Sequence, residues 1–181
     1  MILETERLRL RRWSVNDAND LYNYAKDDRV GPIAGWPPHR SVAESREIIE
    51  TVFAQEGVFA LTLKNDDTAI GCIGLITGSK SNFPLSDAEG EISYWLGVPF
   101  WGLGLVPEAM REIIRYGFED LGLNALWCGY FDGNEKSKRV QEKCGFRYHH
   151  TNPRQYFPLI NEEKVEHVTR LTREEWENTR K

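Results

Sequence analysis

The sequence predicts one mixed α+β domain spanning residues 1–181, in which a single, strongly twisted sheet of about six to seven strands carries helices on both faces. Three observations point there. Segments with strand-like alternation or short apolar runs stand toward both ends of the chain, and segments with a 3.6-residue apolar period stand between them. In the middle, Gly90 to Met110 reads as a strand that runs through a glycine-interrupted turn directly onto a helix, with another strand after it. That order predicts a right-handed crossover between parallel strands. A chain of 181 residues can bury a core without disulfides or metal.

Each element has a local reason. Leu8, Leu10 and Arg12 alternate with Arg7, Arg9 and Arg11, which predicts a first strand over about residues 7–13 with a charged, solvated outer face. Asp17 to Lys26 has the period of a short helix burying Ala18, Leu21, Tyr22 and Ala25, and a loop with a rigid Trp36-Pro37-Pro38-His39 tip follows. Ser41 to Glu44 spells a capping box before a helix that Gly57 ends. Val58 to Leu63 and Ala69 to Ile76 read as strands joined by Asn65-Asp66-Asp67, and the polar Thr77 to Ala88 is a loop.

In the central strand Ile92, Tyr94, Leu96 and Val98 alternate with Glu91, Ser93, Trp95 and Gly97, and Pro99 ends the ladder. From Val106 to Leu121 the apolar residues recur along one helical stripe, with Gly122 as the stop. Ala125 to Phe131 is a further strand, Glu135 to Cys144 a helix closed by Gly145, and Phe146 to Thr151 and Val165 to Leu171 are strands around a long polar loop. A second capping box, Thr172 to Glu175, opens a short last helix.

Composition narrows the function classes. Forty per cent hydrophobic and 28% charged residues are ordinary for a soluble domain. The balance of 23 basic and 28 acidic residues, net −5, disfavours a nucleic-acid partner. Three cysteines without CxxC spacing predict buried free thiols in a reducing cytoplasm, and no apolar run reaches membrane length. The four histidines lack ligand spacing, so no metal is expected.

The glycine turn is the chemical feature. Gly102 and Gly104 let successive N–H groups converge, and the positive end of the following helix adds to them, which suits an anion such as phosphate. A tight turn is the plainer reading of GxG alone. A dinucleotide fingerprint needs a third glycine where Pro107 stands, and no Gly-Lys-Ser/Thr occurs, so neither of the common nucleotide loops is present.

Two motifs give this a family setting. Trp101-Gly102-Leu103-Gly104-Leu105-Val106-Pro107-Glu108-Ala109, and then Asn134, Ser137, Glu142, Lys143, Gly145 and Phe146, resemble the paired motifs of the GNAT superfamily of acyl-CoA-dependent N-acetyltransferases. The branch they look like is the Rim-type ribosomal-protein N-terminal acetyltransferases. Glu4 to Leu10 and Thr172 to Trp176 are similar to that branch's first and closing segments, so the likeness extends over nearly the whole chain. It departs where Leu103 stands for a frequent Lys, where Val106 and Pro107 replace a small residue and Thr, and where Gln141 occupies the place of a Tyr general acid.

The resemblance implies acetyl-CoA as co-substrate. Leu96, Gly97 and Val98 would hold its pantetheine arm and thioester, Gly102, Leu103, Gly104, Leu105 and Val106 its pyrophosphate, and Asn134 its arm. Ser137 would protonate the thiolate. Glu91 is the charged candidate for the base, His149 and His150 being alternatives of which the strand alternation turns at most one inward. Trp36 and Tyr94 are candidates to line the acceptor pocket. The acceptor is an amine, either a protein N-terminus or a small molecule, with no nucleic acid or membrane involved and homodimerisation left open. The rival class is an acyl-CoA sensor that binds without turnover.

Overall fold

The computed structural model describes residues 1–180. Among these, eight strands form a mixed sheet in the order β1-β2-β3-β4-β5-β6-β8-β7. They are β1 Leu3–Glu4, β2 Leu8–Arg11, β3 Val58–Leu63, β4 Ala69–Thr77, β5 Glu89–Leu96, β6 Ala125–Phe131, β7 Arg147–Phe157 and β8 Glu162–Thr172. The helices are α1 Ala18–Ala25, α2 Val42–Thr51, α3 Leu105–Arg115, α4 Glu135–Lys143 and α5 Arg173–Asn178. By contact the chain divides into two compact units, Met1–Gly74 with Tyr94–Ala109, and Leu75–Ser93 with Met110–Lys181, so β4 and β5 each contribute to both.

The first unit is built on the β2–β3–β4 meander. Leu8 and Leu10 pair with Leu63 and Leu61 and are fully buried, as the alternation requires. Beside them Trp13 stacks on Phe53 at 4.9 Å and on Trp95 at 6.4 Å, within a cluster that includes Leu21, Ala25, Ile49 and Cys72. The arginine face differs from the solvated one expected. Arg11 forms a two-bond fork with the buried Asp17 at 2.8 Å and also reaches Asp67, because the β2–β3 register and the capping box at Ser14 bring both carboxylates beneath it. Ser41 caps α2, but Glu44 turns to the Arg40 N–H, so that capping box is only half formed.

In the second unit β5 pairs parallel with β6, Glu91 opposite Trp127, and β6 pairs antiparallel with β8, Cys128 opposite Thr169. α3 is followed by a π-helical turn, Tyr116–Asp120, where the sequence pattern predicts unbroken α-helix. The Arg173 side chain donates to Leu123 O at 3.0 Å and to Phe118 O, satisfying carbonyls at that irregular end.

Two further differences have simple causes. The sheet has eight strands because the two-residue β1, too short to show a period, pairs Leu3 with Leu10. The segment expected as a polar loop continues β7 and β8 as a ladder from Gln155↔Lys164 to Phe157↔Glu162. This edge is exposed, and ion pairs such as Arg154–Glu163 at 2.9 Å, rather than an apolar face, run across it. All three cysteines are buried free thiols; burial pushes Cys72 up to about 12 and Cys144 up to about 11, and raises Cys128 as well. No helix among the described residues is long and apolar enough to cross a membrane.

Candidate active site

The glycine turn lies in the first unit. Gly102 at φ +77° and Gly104 at φ +75° both adopt the left-handed backbone that the motif requires, and a Cβ at Gly102 would meet no atom within 4 Å. The first amides of α3 lack partners within the helix, and Pro107 contributes none, so Leu105 and Val106 supply the helix's share of N–H groups at this turn. An arginine from elsewhere in the chain braces the turn. Arg7 donates to Leu103 O at 2.9 Å and grips Glu108 through Nε at 2.7 Å, while Thr5 donates to the same carboxylate at 2.5 Å. Burial alone would raise Glu108, yet these hydrogen bonds hold it below the usual carboxylate range.

Leu96, Gly97 and Val98 form the end of β5 and a 3₁₀ turn, Val98–Phe100. Gly97 N–H donates to Ile70 O at 2.8 Å, so that amide serves the sheet, and Trp101 Nε1 closes over Leu96 O at 2.7 Å. Gly97 has to be glycine because a Cβ would lie 2.7 Å from the Tyr24 ring. Tyr94 is half-buried on β5. Trp36, also half-buried, packs edge-on against Trp95 at 5.8 Å and sits 5.4 Å from His39, within the aromatic cluster of the same unit.

The second unit holds Asn134, Ser137 and Glu91. Asn134 is the N-cap of α4, its side chain accepting from the Ser137 N–H at 3.1 Å. Ser137 Oγ accepts from Gln141 Nε2 at 3.1 Å. Gln141, which stands where the resemblance places a Tyr general acid, is fully buried and bonds Gly129 O and Thr169 Oγ1 as well. Its i, i+4 spacing from Ser137, in a helix otherwise dominated by charge, was the signal for that contact.

Glu91 is 7% exposed, not the surface carboxylate a strand position also allowed. Burial raises its pKa, against hydrogen bonds from Asn82 N at 2.6 Å, Asn82 Nδ2 at 3.0 Å and the Phe83 amide. A second carboxylate that sequence reasoning missed stands near. Glu166, on β8, is raised first by burial and further by the charge of Glu91, while Asn152 donates to it at 3.2 Å. Its present position relies on glycine at 129: a Cβ there would lie 2.7 Å from Glu166 Oε1, and the carboxylate would have to shift. His149 and His150 do not alternate as expected, because a bulge after Tyr148 brings their rings together, Nδ1 to Nδ1 at 2.8 Å, on the exposed face. A cavity of about 430 Å³ beside α4 contains none of the residues predicted for the site; its wall includes Tyr130, Lys138 and His167, the last bonded to Asp132 and Thr151 at 2.8 Å each. Among the described residues no cluster of His, Cys, Asp and Glu could hold a metal ion.

A family model described as "Acetyltransferase (GNAT) domain" matches residues 7–147. The chain is a GNAT acetyltransferase. A Bacillus licheniformis protein named "Uncharacterized N-acetyltransferase p20" is 33% identical over 150 residues, covering 80% of this chain and 82% of that one. The "Putative ribosomal N-acetyltransferase YdaF" of Bacillus subtilis is 40% identical over 68 residues, 38% of this chain and 37% of its own. Among solved structures, a GNAT-family acetyltransferase from Bacillus anthracis superposes with a TM-score of 0.83 at 21% identity, over 96% of this chain and 99% of that one. The matched family region takes in the glycine turn, Glu91, Asn134, Ser137 and Gln141 of this GNAT acetyltransferase, whereas Glu166 and Thr169 lie beyond it.

Proposed function

We propose that this GNAT acetyltransferase moves an acetyl group from acetyl-CoA directly to a primary amine, with Ser137 as the proton donor to the departing thiolate and Glu91 as the base. The observation that carries it is the turn: two left-handed glycines open on one side directly before α3. Main-chain amides in that geometry suit a pyrophosphate. The Leu96 to Val98 segment and Asn134 are assigned to the pantetheine arm by family likeness, and the reaction runs in one ternary complex. The acceptor nitrogen bonds to the carbonyl carbon as the C–S bond breaks, the thiolate takes the Ser137 proton, and the surplus amine proton passes to Glu91, directly or through water.

A carboxylate is a weak base even when burial raises it. That suits an α-amine, with a pKa of about 7.7–8.0, better than a lysine amine at about 10.4. A protein N-terminus is therefore our first acceptor class, and a small amine the second; a relative named a putative ribosomal N-acetyltransferase supports a protein acceptor. Trp36 and Tyr94 are proposed to contact the acceptor, in a single catalytic domain.

Thermal melting with acetyl-CoA, free phosphate and NAD, followed by CoA release over a panel of peptides and small amines, tests this. We expect a shift specific to acetyl-CoA and amine-dependent thiol. Ser137→Ala should lower kcat by about a hundredfold while leaving acetyl-CoA affinity within about twofold. No melting shift with acetyl-CoA would overturn the cofactor assignment, and a shift without turnover of any amine would favour a sensor.

A further inference from the structure

Gln141 is the best-buried polar side chain on α4, and its amide touches three partners at once: Gly129 O at 3.1 Å, Ser137 Oγ at 3.1 Å and Thr169 Oγ1 at 2.7 Å. The orientation of that amide is fixed by chemistry. A main-chain carbonyl can only accept, so the group facing Gly129 O must be the NH₂, which leaves Oε1 toward Thr169. The Thr169 hydroxyl has one proton, and it lies closer to Gln141 Oε1 than to Cys128 O at 3.2 Å. Hydrogen bonding therefore runs in one direction, from Thr169 to Gln141 and from Gln141 to Ser137.

At Ser137 this has a chemical effect. The oxygen receives an N–H on one lone pair, so its own proton is not directed at Gln141. A hydroxyl that already accepts a hydrogen bond is a stronger donor, and the same N–H steadies the negative charge that grows on oxygen as the proton leaves. The amide also restrains the serine's rotamer, while Asn134 fixes the backbone of the same turn.

We propose that Gln141 is a positioning residue that sets the hydroxyl of Ser137 as a proton donor and supports the charge it acquires. This rests on the reading of Ser137 as the acid. In that role a glutamine acts through a neighbouring hydroxyl at a place where a tyrosine would supply the proton itself. The residue donates no proton to the thiolate.

The test is a double-mutant cycle in the full chain. Gln141→Met keeps the length and removes the amide; we expect kcat to fall about tenfold, with KM for acetyl-CoA and for the amine nearly unchanged. In a Ser137→Ala background the same substitution should have no further effect on kcat. Thr169→Val, which removes only the donor to Oε1, carries the test if Gln141→Met fails to fold, with a loss of about threefold that also vanishes in Ser137→Ala. An equal loss in both backgrounds, or a loss confined to KM, would overturn the proposal and leave Gln141 a packing residue. If Ser137→Ala alone keeps full kcat, the assignment of the acid itself fails, and this inference with it.

Discussion

The turn from Gly102 to Val106 and the cluster around Gln141 are made of different materials. The turn is main chain: glycine backbones, the first amides of α3 and a carbonyl held by Arg7. The cluster is side chain: an amide on α4 that reaches a carbonyl of β6 and a hydroxyl of β8. A main-chain site tolerates a change of side chain and fails when the backbone moves. A side-chain site tolerates small backbone adjustments and fails when one polar partner is lost, because the others stay buried without it.

That contrast can be broken in several ways. The largest effect is expected from Gly71→Ala in the first unit. Its Cβ would lie 2.5 Å from Trp95 O and 3.1 Å from Leu96 Cα, which are main-chain atoms that cannot swing aside. We expect a loss of about 3 kcal/mol in urea denaturation, with acetyl-CoA affinity falling in parallel. Wild-type stability would mean that the end of β5 is not held by that close approach. Gly102→Ala is milder. The methyl meets nothing, so only the left-handed backbone resists it, at about 1 kcal/mol, but it enters the space assigned to pyrophosphate. Calorimetry should then find acetyl-CoA binding weakened at least about tenfold. Equal affinity would remove the turn from the cofactor site.

The smallest effect concerns two carboxyls, the buried Glu91 and the half-buried Glu166. Glu91 and Glu166 both hold protons more tightly in the fold than the ordinary value of 4.5 allows, mainly through burial. Their contribution to stability is therefore complete below about pH 4.5 and is lost as pH rises through the elevated values. Glu91→Gln should flatten that decline in melting temperature against pH. It should also bring the Glu166 carboxyl down in an NMR titration, since one of its two upward causes is gone; an unmoved Glu166 would mean that the pair does not interact.

The same contrast explains what the sequence made legible. The turn could be read because its two glycines and the start of α3 fall within nine residues, Trp101 to Ala109, and left-handed glycines announce themselves, although the Arg7 brace on it did not show. The strands β3, β4 and β6 and the cap at Thr172 were equally local. The arginine and carboxylate pairings were not. Arg7 with Glu108 and Gln141 with Thr169 join residues 101 and 28 positions apart, and the packing of helices against other parts of the chain, not local sequence, decides which partners meet. Glu166 was hidden by a similar separation, its position depending on the missing side chain of Gly129 one strand away. The extension of β7 and β8 was missed because an exposed ladder carries no apolar period.

The buried cysteines have a practical consequence for measuring this enzyme. Colorimetric disulfide reagents react with thiolate, and burial keeps Cys72, Cys128 and Cys144 protonated and out of reach. The folded protein should therefore contribute almost no absorbance background, and all three sulfurs should appear only after denaturant is added. Free CoA can then be counted continuously at high enzyme concentration, which is what an acceptor turned over slowly requires, and a rising blank becomes a direct report that the protein is unfolding in the cuvette.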